Sequence, residues 1–207
     1  MFDDLLRALK ERLLAPVARL LGPRVSPNLL SLFAAVLGLV SAGFALRGAY
    51  NIALACWVAN RLLDGLDGVQ SRVHHRQSDF GGYLDIVLDH VVYAAIPLGL
   101  LLSAPTVGLG IATAFMLSSF YTNAASWMYL AAILERRGMG ASARGELTTI
   151  TMPRAIIAGT ETMVLFTMFF LLPGYLTELF VVMGALVCVN VVQRLAWAYR
   201  VLAVPRR

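Results

Sequence analysis

The sequence predicts an all-α membrane protein: a six-transmembrane-helix bundle with an N-terminal amphipathic interfacial helix. Three observations predict it. Hydrophobic residues make up 59% of the chain and charged residues only 14%, with a mean hydropathy of +0.74. Six apolar stretches, each near the roughly 20 residues that cross a hydrocarbon core, are separated by short polar or helix-breaking connections. Arginines and the single lysine gather in alternate connections, the asymmetry that orients membrane helices.

The elements follow in order. Residues 1–24 form a juxtamembrane segment in which Leu5, Leu6, Leu9, Leu13 and Leu14 recur at helical spacing among charged residues. The segment lacks the apolar core and small-residue cleavage site of a signal peptide. Two placements are open to it: flat on the membrane surface, or packed on the cytoplasmic face of its own bundle. Residues 25–207 then carry spans at about 29–46, 50–71, 82–103, 106–133, 155–172 and 175–198. The breakers are Arg47-Gly48, the polar run from Arg72 to Ser78, Ala104-Pro105, the charged run from Glu135 to Arg154, and Pro173-Gly174.

Charge sets the direction. Arg7, Lys10, Arg12, Arg19 and Arg24 precede the first span. Arg72, Arg76, Arg136, Arg137 and Arg144 occupy the second and fourth connections, and Arg200, Arg206 and Arg207 follow the last span. The other three connections hold only Arg47. Both termini are therefore expected in the cytoplasm, as an even number of spans requires. The net charge of +5 matches anionic lipid headgroups. No basic cluster is interleaved with stacking aromatics in a soluble domain, so nucleic acid is not an expected partner.

Four carboxylates interrupt this apolar pattern. Asp64 and Asp67 lie in the last turns of the second span, and Asp85 and Asp89 in the first turns of the third. Spacings of three and four residues put each pair on one helix face. The topology brings both pairs to similar depth near the cytoplasmic surface. Anions inside a membrane are costly and usually functional. Four together need a shared positive charge, and a divalent metal is the simplest candidate because hard cations prefer carboxylate oxygen. Metal held this way in a phosphate-handling site suggests phosphoryl chemistry. Gly65, Gly68, Gly81 and Gly82 stand beside the acids, where they allow either close helix packing or close approach of a ligand to bare backbone. Arg72 is placed either to grip a phosphate bidentately or to snorkel to the interface.

At these residues a family resemblance becomes specific. Asp64-x2-Asp67-Gly68-x2-Ser71-Arg72-x8-Gly81-x3-Asp85-x3-Asp89 resembles the CDP-alcohol phosphotransferase motif D-x2-D-G-x2-A-R-x8-G-x3-D-x3-D. Ser71 replaces the usual Ala. Pro27-Asn28 resembles the family's entry segment. The resemblance implies displacement of CMP from a CDP-linked donor by an alcohol. It implies two divalent ions, Mg²⁺ or Mn²⁺, among Asp64, Asp67 and Asp85, with Asp89 as general base and further ligand. It also implies a CDP site formed by Asp64, Gly68, Ser71, Arg72 and Gly81, and a homodimer in a bacterial inner membrane.

A site open to lipid suits CDP-diacylglycerol as donor and a small polar alcohol as acceptor. The inverse arrangement, a CDP-linked headgroup with diacylglycerol as acceptor, uses the same motif. A small divalent-cation transporter is the competing class, but it would set its acids near the midplane. Arg154 and Arg194, at the cytoplasmic ends of the last two spans, are candidate contacts for a phosphorylated acceptor; the alternative is that they anchor helices at the interface. Glu161 is an intramembrane acid for which Arg61 is a candidate partner. His74 and His75 are expected in solvent or among headgroups, and His90 points away from the face of Asp89. Cys56 and Cys188 are expected as reduced packing residues. Trp57, Trp127 and Trp197 are expected to contact lipid or neighbouring helices.

Overall fold

The structure, a computed structural model, describes residues 2–140 and 159–203, with side chains from residue 11 onward. These residues form seven α-helices and no strand. The helices are α1 (Phe2–Leu21), α2 (Pro27–Leu46), α3 (Tyr50–Val73), α4 (Asp79–Ser103), α5 (Val107–Arg136), α6 (Gly159–Leu171) and α7 (Leu176–Leu202). A 3-10 turn at Pro173–Tyr175 leads into α7. The six apolar stretches read from the sequence thus correspond to α2 through α7.

Length and composition separate these helices. Among the described residues, three candidate spans are long and apolar enough to cross a membrane: Pro27–Leu46, Asp79–Ser103 and Pro173–Leu202. Helix α6, as described, is a shorter apolar helix. Helices α3 and α5 have the length but not the composition: α3 carries Arg61, Asp64 and Asp67, and α5 carries Ser118, Ser119, Thr122 and Asn123. The all-helical expectation holds; a count of six spans goes beyond these three.

The chain divides into two compact units. The first comprises Met1–Val107 with Phe166–Gly174. Helix α2 is its hub and packs against both α3 and α4. It begins with Pro27 after an extended Ser26, where a proline loses no helical hydrogen bond. Its buried stripe is made of small residues at helical spacing: Ser31, Ala34, Ala35, Gly38, Ser41, Ala42 and Ala45. Small residues let backbones approach closely inside a membrane, where lipid supplies no hydrophobic drive for helix association. Gly99 of α4 meets the backbone carbonyl of Ala42 so closely that a Cβ there would collide with it. Ser41 Oγ donates to the Ala53 carbonyl at 2.7 Å, and Asn60 Nδ2 donates to the Ala34 carbonyl at 2.7 Å. These bonds fix the register of α3 on α2. The α2–α3 connection turns at Gly48, whose φ of +70° suits glycine.

Helix α1 docks on α3. Ala18, Leu30, Leu66 and Val69 form one buried cluster, with Leu14 and Ala15 packed beside it. Gln70 Nε2 donates to the carbonyls of Gly22 and Val25, and Arg76 Nη1 to that of Pro23. The segment thus packs on the chain's own helices. Leu13 and Leu20 on its other side stay exposed.

The second unit comprises Gly108–Leu165 with Tyr175–Arg207. Within it α5 and α7 meet where Gly184 faces Phe115 and Met116. Helix α5 closes at Gly138, with φ +67°. Arg137 Nη2 donates to the Leu202 carbonyl at 3.3 Å, near the end of α7.

Candidate active site

The motif spans α3, the connection and the start of α4. Ser78 caps α4 from an extended conformation, accepting a hydrogen bond from the Gly81 amide at 3.0 Å. That cap sets where the helix starts, and so where its acids fall. Asp67 lies six residues before the end of α3, and Asp85 six after the start of α4. At 1.5 Å per residue each sits about 9 Å along its helix from the connection. Gly81 is packed tightly: a Cβ there would come within 3.0 Å of Asn28 Oδ1 and 3.1 Å of Ser78 Oγ. The Pro27-Asn28 entry segment thus lies against the first turn of α4.

Asp64, Asp85 and Asp89 line one narrow cleft together with Ser31, Ala34, Ala35 and Asn60. Asp67 is buried, and Ser31 Oγ donates to its Oδ2. Three of the four motif acids thus line one cleft. The fourth is tied by a hydroxyl that also lines it.

Positive charge reaches two of these acids from Arg61. Its Nη2 donates to Asp89 Oδ1 at 2.7 Å, and its Nη1 lies 3.6 Å from Asp64 Oδ2. Arg61 Nε donates to Asn60 Oδ1 at 2.7 Å, and Nη1 to the Tyr93 hydroxyl at 3.1 Å. The guanidinium carbon lies 4.8 Å from the Trp57 ring centre and 5.3 Å from that of Tyr93. Trp57 stacks on Phe166, and Tyr93 meets the same ring edge-on. Arg61, a candidate partner of Glu161 by sequence, engages Asp89 and Asp64. Trp57 is a helix contact, as expected, but its main partner of interest is this cation.

The donor set fits a divalent cation in kind, because all four groups are carboxylates. Among the described residues, however, no three His, Cys, Asp or Glu side chains are gathered into a set that could hold a metal ion. Physical reasons are visible for two of the acids: Arg61 takes up Asp89, and Ser31 takes up Asp67.

The other motif residues are placed as follows. Ser71 Oγ donates back to the Gly68 carbonyl at 2.9 Å, so the hydroxyl that replaces the family's alanine serves its own helix. A Cβ on Gly68 would lie 3.3 Å from Arg72 Nη1. Arg72 Nε donates to Glu11 Oε1 at 2.7 Å, an ion pair to α1. His74 is partly buried, with its Nε2 3.1 Å from the Ala18 carbonyl, and His75 is exposed. His90 faces away from Asp89, with Nδ1 2.7 Å from the Ile86 carbonyl. Cys56 and Cys188 are free thiols. In the second unit, Arg194 is buried and Nη1 donates to Asn123 Oδ1 at 2.9 Å and to the Asn123 carbonyl at 3.3 Å. Ser126 Oγ lies 3.4 Å away, and Arg194 Nε has no hydrogen-bond partner. Arg154 lies outside the described residues.

Sequence reasoning missed Ser31, Asn60 and Tyr93. Ser31 and Asn60 lie on helices whose pattern reads as packing. Arg61 carried a signal: it is a cation three residues from Asp64 inside a span.

Comparison with known proteins gives the family and the fold. The family model described as CDP-alcohol phosphatidyltransferase matches residues 24–195. The inner membrane protein YnjF of Escherichia coli K12 is 32% identical over 164 residues, covering 79% of this chain and 78% of that protein. The fold matches the phosphatidylinositol phosphate synthase PgsA1 of Mycobacterium tuberculosis solved with CDP-DAG bound. That match has a TM-score of 0.71 and 20% identity, covering 91% of this chain and 94% of that one. The same synthase in complex with manganese and citrate matches with a TM-score of 0.69 and 20% identity, covering 88% of this chain and 87% of that one. The chain is thus a membrane protein of the CDP-alcohol phosphatidyltransferase family, an enzyme of phospholipid biosynthesis that transfers a substituted phosphate group from a CDP-linked donor to an alcohol and releases CMP.

Proposed function

We propose that the donor is CDP-diacylglycerol and the acceptor a small polar alcohol, with the cleft between α3 and α4 as the reaction centre. The observation that carries this reading is that Asp64, Asp85 and Asp89, at motif spacing, line one cleft. Exposed apolar side chains on α2, such as Leu29, Phe33 and Val36, suit a lipid environment for the donor's acyl chains. PgsA1, the neighbour solved with CDP-DAG, supports the same donor.

In the reaction the acceptor hydroxyl oxygen bonds to the lipid-bearing phosphorus. The bond from that phosphorus to the bridging oxygen breaks, and the bridging oxygen leaves with CMP. The hydroxyl proton passes to an Asp89 carboxylate oxygen. Asp64, Asp67 and Asp85 would hold two divalent ions, Mg²⁺ or Mn²⁺. These, when bound, offset the diphosphate charge and ease departure of CMP. Asp64, Gly68, Ser71, Arg72 and Gly81 form the CDP site, with Arg72 turning from Glu11 toward phosphate. Arg194 and Arg154 receive an acceptor that carries its own phosphate; the Arg194 Nε that lacks a partner supports this role.

The protein is read as six spans in a bacterial inner membrane, with both termini and the active site facing the cytoplasm, and as a homodimer. Residues 1–24 are the juxtamembrane segment and 25–207 the catalytic domain. Purified protein incubated with CDP-diacylglycerol, Mg²⁺ or Mn²⁺, and a panel of glycerol 3-phosphate, inositol, inositol phosphate and serine tests the reading. CMP release with a new phospholipid by mass spectrometry is the expected result. CMP release only with CDP-linked headgroups and diacylglycerol would reverse the donor assignment.

A further inference from the structure

The family motif begins at Asp64, and nothing in it calls for a cation one turn earlier. Arg61 is nevertheless only 7% exposed and reaches two of the four aspartates. We infer that Arg61 is a positioning residue: it holds Asp89 Oδ1, keeps that carboxylate out of the metal ligand set, and so reserves its other oxygen for the acceptor proton. The inference rests on the reading of these aspartates given above and refines it, making Asp89 a base and not a ligand.

Three features of the geometry carry it. The guanidinium is held on several sides, by Asn60 Oδ1 and the Tyr93 hydroxyl at hydrogen-bond distance and by the rings of Trp57 and Tyr93. Such a cation is pre-organised; a flexible surface arginine is not. Its contacts to the acids are unequal. Asp89 receives a direct bond at 2.7 Å, whereas Asp64 lies at 3.6 Å. Finally, the bond engages one named oxygen of Asp89, Oδ1. A guanidinium fixed on that oxygen places positive charge where a second cation would sit, and so disfavours chelation of a cation by both oxygens. A purely structural ion pair is the competing account, since a buried pair is by itself weak evidence of function.

The two accounts differ in what metal binding does when Arg61 is changed. In the full-length protein in detergent, without substrate, Mn²⁺ affinity is measured by calorimetry, and CMP release gives kcat and KM. Positioning predicts that Arg61→Gln binds Mn²⁺ about tenfold or more tightly, because a nearby positive charge is removed and a carboxylate is released. It predicts that kcat falls by a similar factor at little-changed donor KM. Arg61→Lys, which keeps the charge, holds affinity near wild type and recovers part of kcat. Combining Arg61→Gln with Asp89→Asn removes the gain in affinity, since Asp89 transmits it. Tyr93→Phe keeps the ion pair and loses one hydrogen bond to the guanidinium, so it tests the idea if Arg61→Gln does not fold. Its kcat falls severalfold at unchanged Mn²⁺ affinity. Unchanged or weaker Mn²⁺ binding in Arg61→Gln, or a tightening that persists with Asp89→Asn, overturns the inference alone; so does an unchanged kcat in Tyr93→Phe. Wild-type protein that binds no Mn²⁺, or binds it equally well after Asp64→Asn, overturns the metal reading and the inference with it.

Discussion

Two arginines are buried to almost the same degree, Arg61 at 7% exposure and Arg194 at 8%, yet their surroundings are opposite. Arg61 is met by two carboxylates, two aromatic rings and an amide oxygen. Arg194 is met by neutral oxygens of Asn123 and Ser126, and one of its nitrogens is unmatched. Burying a charge is costly, and hydrogen bonds to neutral groups repay only part of that cost. The first arginine therefore completes its own environment. The second, among the described residues, is met by neutral groups alone. The difference separates an internal counter-ion from a candidate binding group, although both look alike in sequence as single cations in apolar helices.

The largest expected effect tests the acids on which the Arg61 environment depends. Asp64→Asn, Asp67→Asn or Asp85→Asn each lowers CMP release by about a thousandfold or more while helical content by circular dichroism is retained. EDTA stops the wild type, and Mg²⁺ or Mn²⁺ restores it. Asp89→Asn also loses transfer but retains CDP affinity in calorimetry. Equal loss of CDP binding in the Asp64 and Asp89 variants would return Asp89 to the ligand set. Full turnover in metal-free buffer would remove the metal from the account.

Stability contrasts the two arginines directly. Arg61→Ala leaves two carboxylates without their cation and costs about 3–5 kcal/mol in metal-free buffer. Arg194→Ala removes a charge that is only partly compensated and changes stability by less than about 1 kcal/mol. Denaturant unfolding in detergent checks both. Equal losses would erase the distinction drawn from their surroundings.

Kinetics sharpens the same contrast. A hydrogen bond to a charged group contributes about 1.5–3 kcal/mol, so Arg194→Ala raises the KM of a phosphorylated acceptor about 10–100-fold. The donor KM stays within about twofold, the signature of lost acceptor binding. Initial rates with each substrate varied in turn decide it; unchanged acceptor kinetics would make Arg194 a helix anchor.

The smallest effect concerns a third arginine. Arg72 and Glu11 form a partly exposed pair, at 24% and 42% side-chain exposure. Such pairs contribute about 0–1 kcal/mol. Glu11→Gln therefore shifts thermal unfolding little, and it lowers the donor KM by less than about fivefold by freeing Arg72. A rise in donor KM would show instead that Glu11 holds Arg72 in its working position.

The sequence by itself determined the helical class, the helix boundaries within a few residues, and the identity of the motif acids. Hydropathy and breakers act locally, so they are legible without a fold: Arg47-Gly48 and Pro173-Gly174 fall between observed α-helices, and the Arg72–Ser78 run begins in the last turn of α3 and ends where α4 starts. Spacing also placed Asp64, Asp67, Asp85 and Asp89 on helix faces, because 3.6-residue periodicity is a property of the helix alone. Partners across helices were not legible. That Ser31 takes Asp67, that Asn60 and Tyr93 brace Arg61, and that Arg61 turns to Asp89 depends on how close α2, α3 and α4 come. That closeness is set by small residues such as Gly38 and Gly99, which have no chemistry of their own to advertise it. Likewise the amphipathic pattern of α1 showed an apolar face but not what would cover it. Ala18 packing on Leu66 and Val69 was decided by tertiary contact, since an apolar helix face is satisfied equally by lipid and by protein.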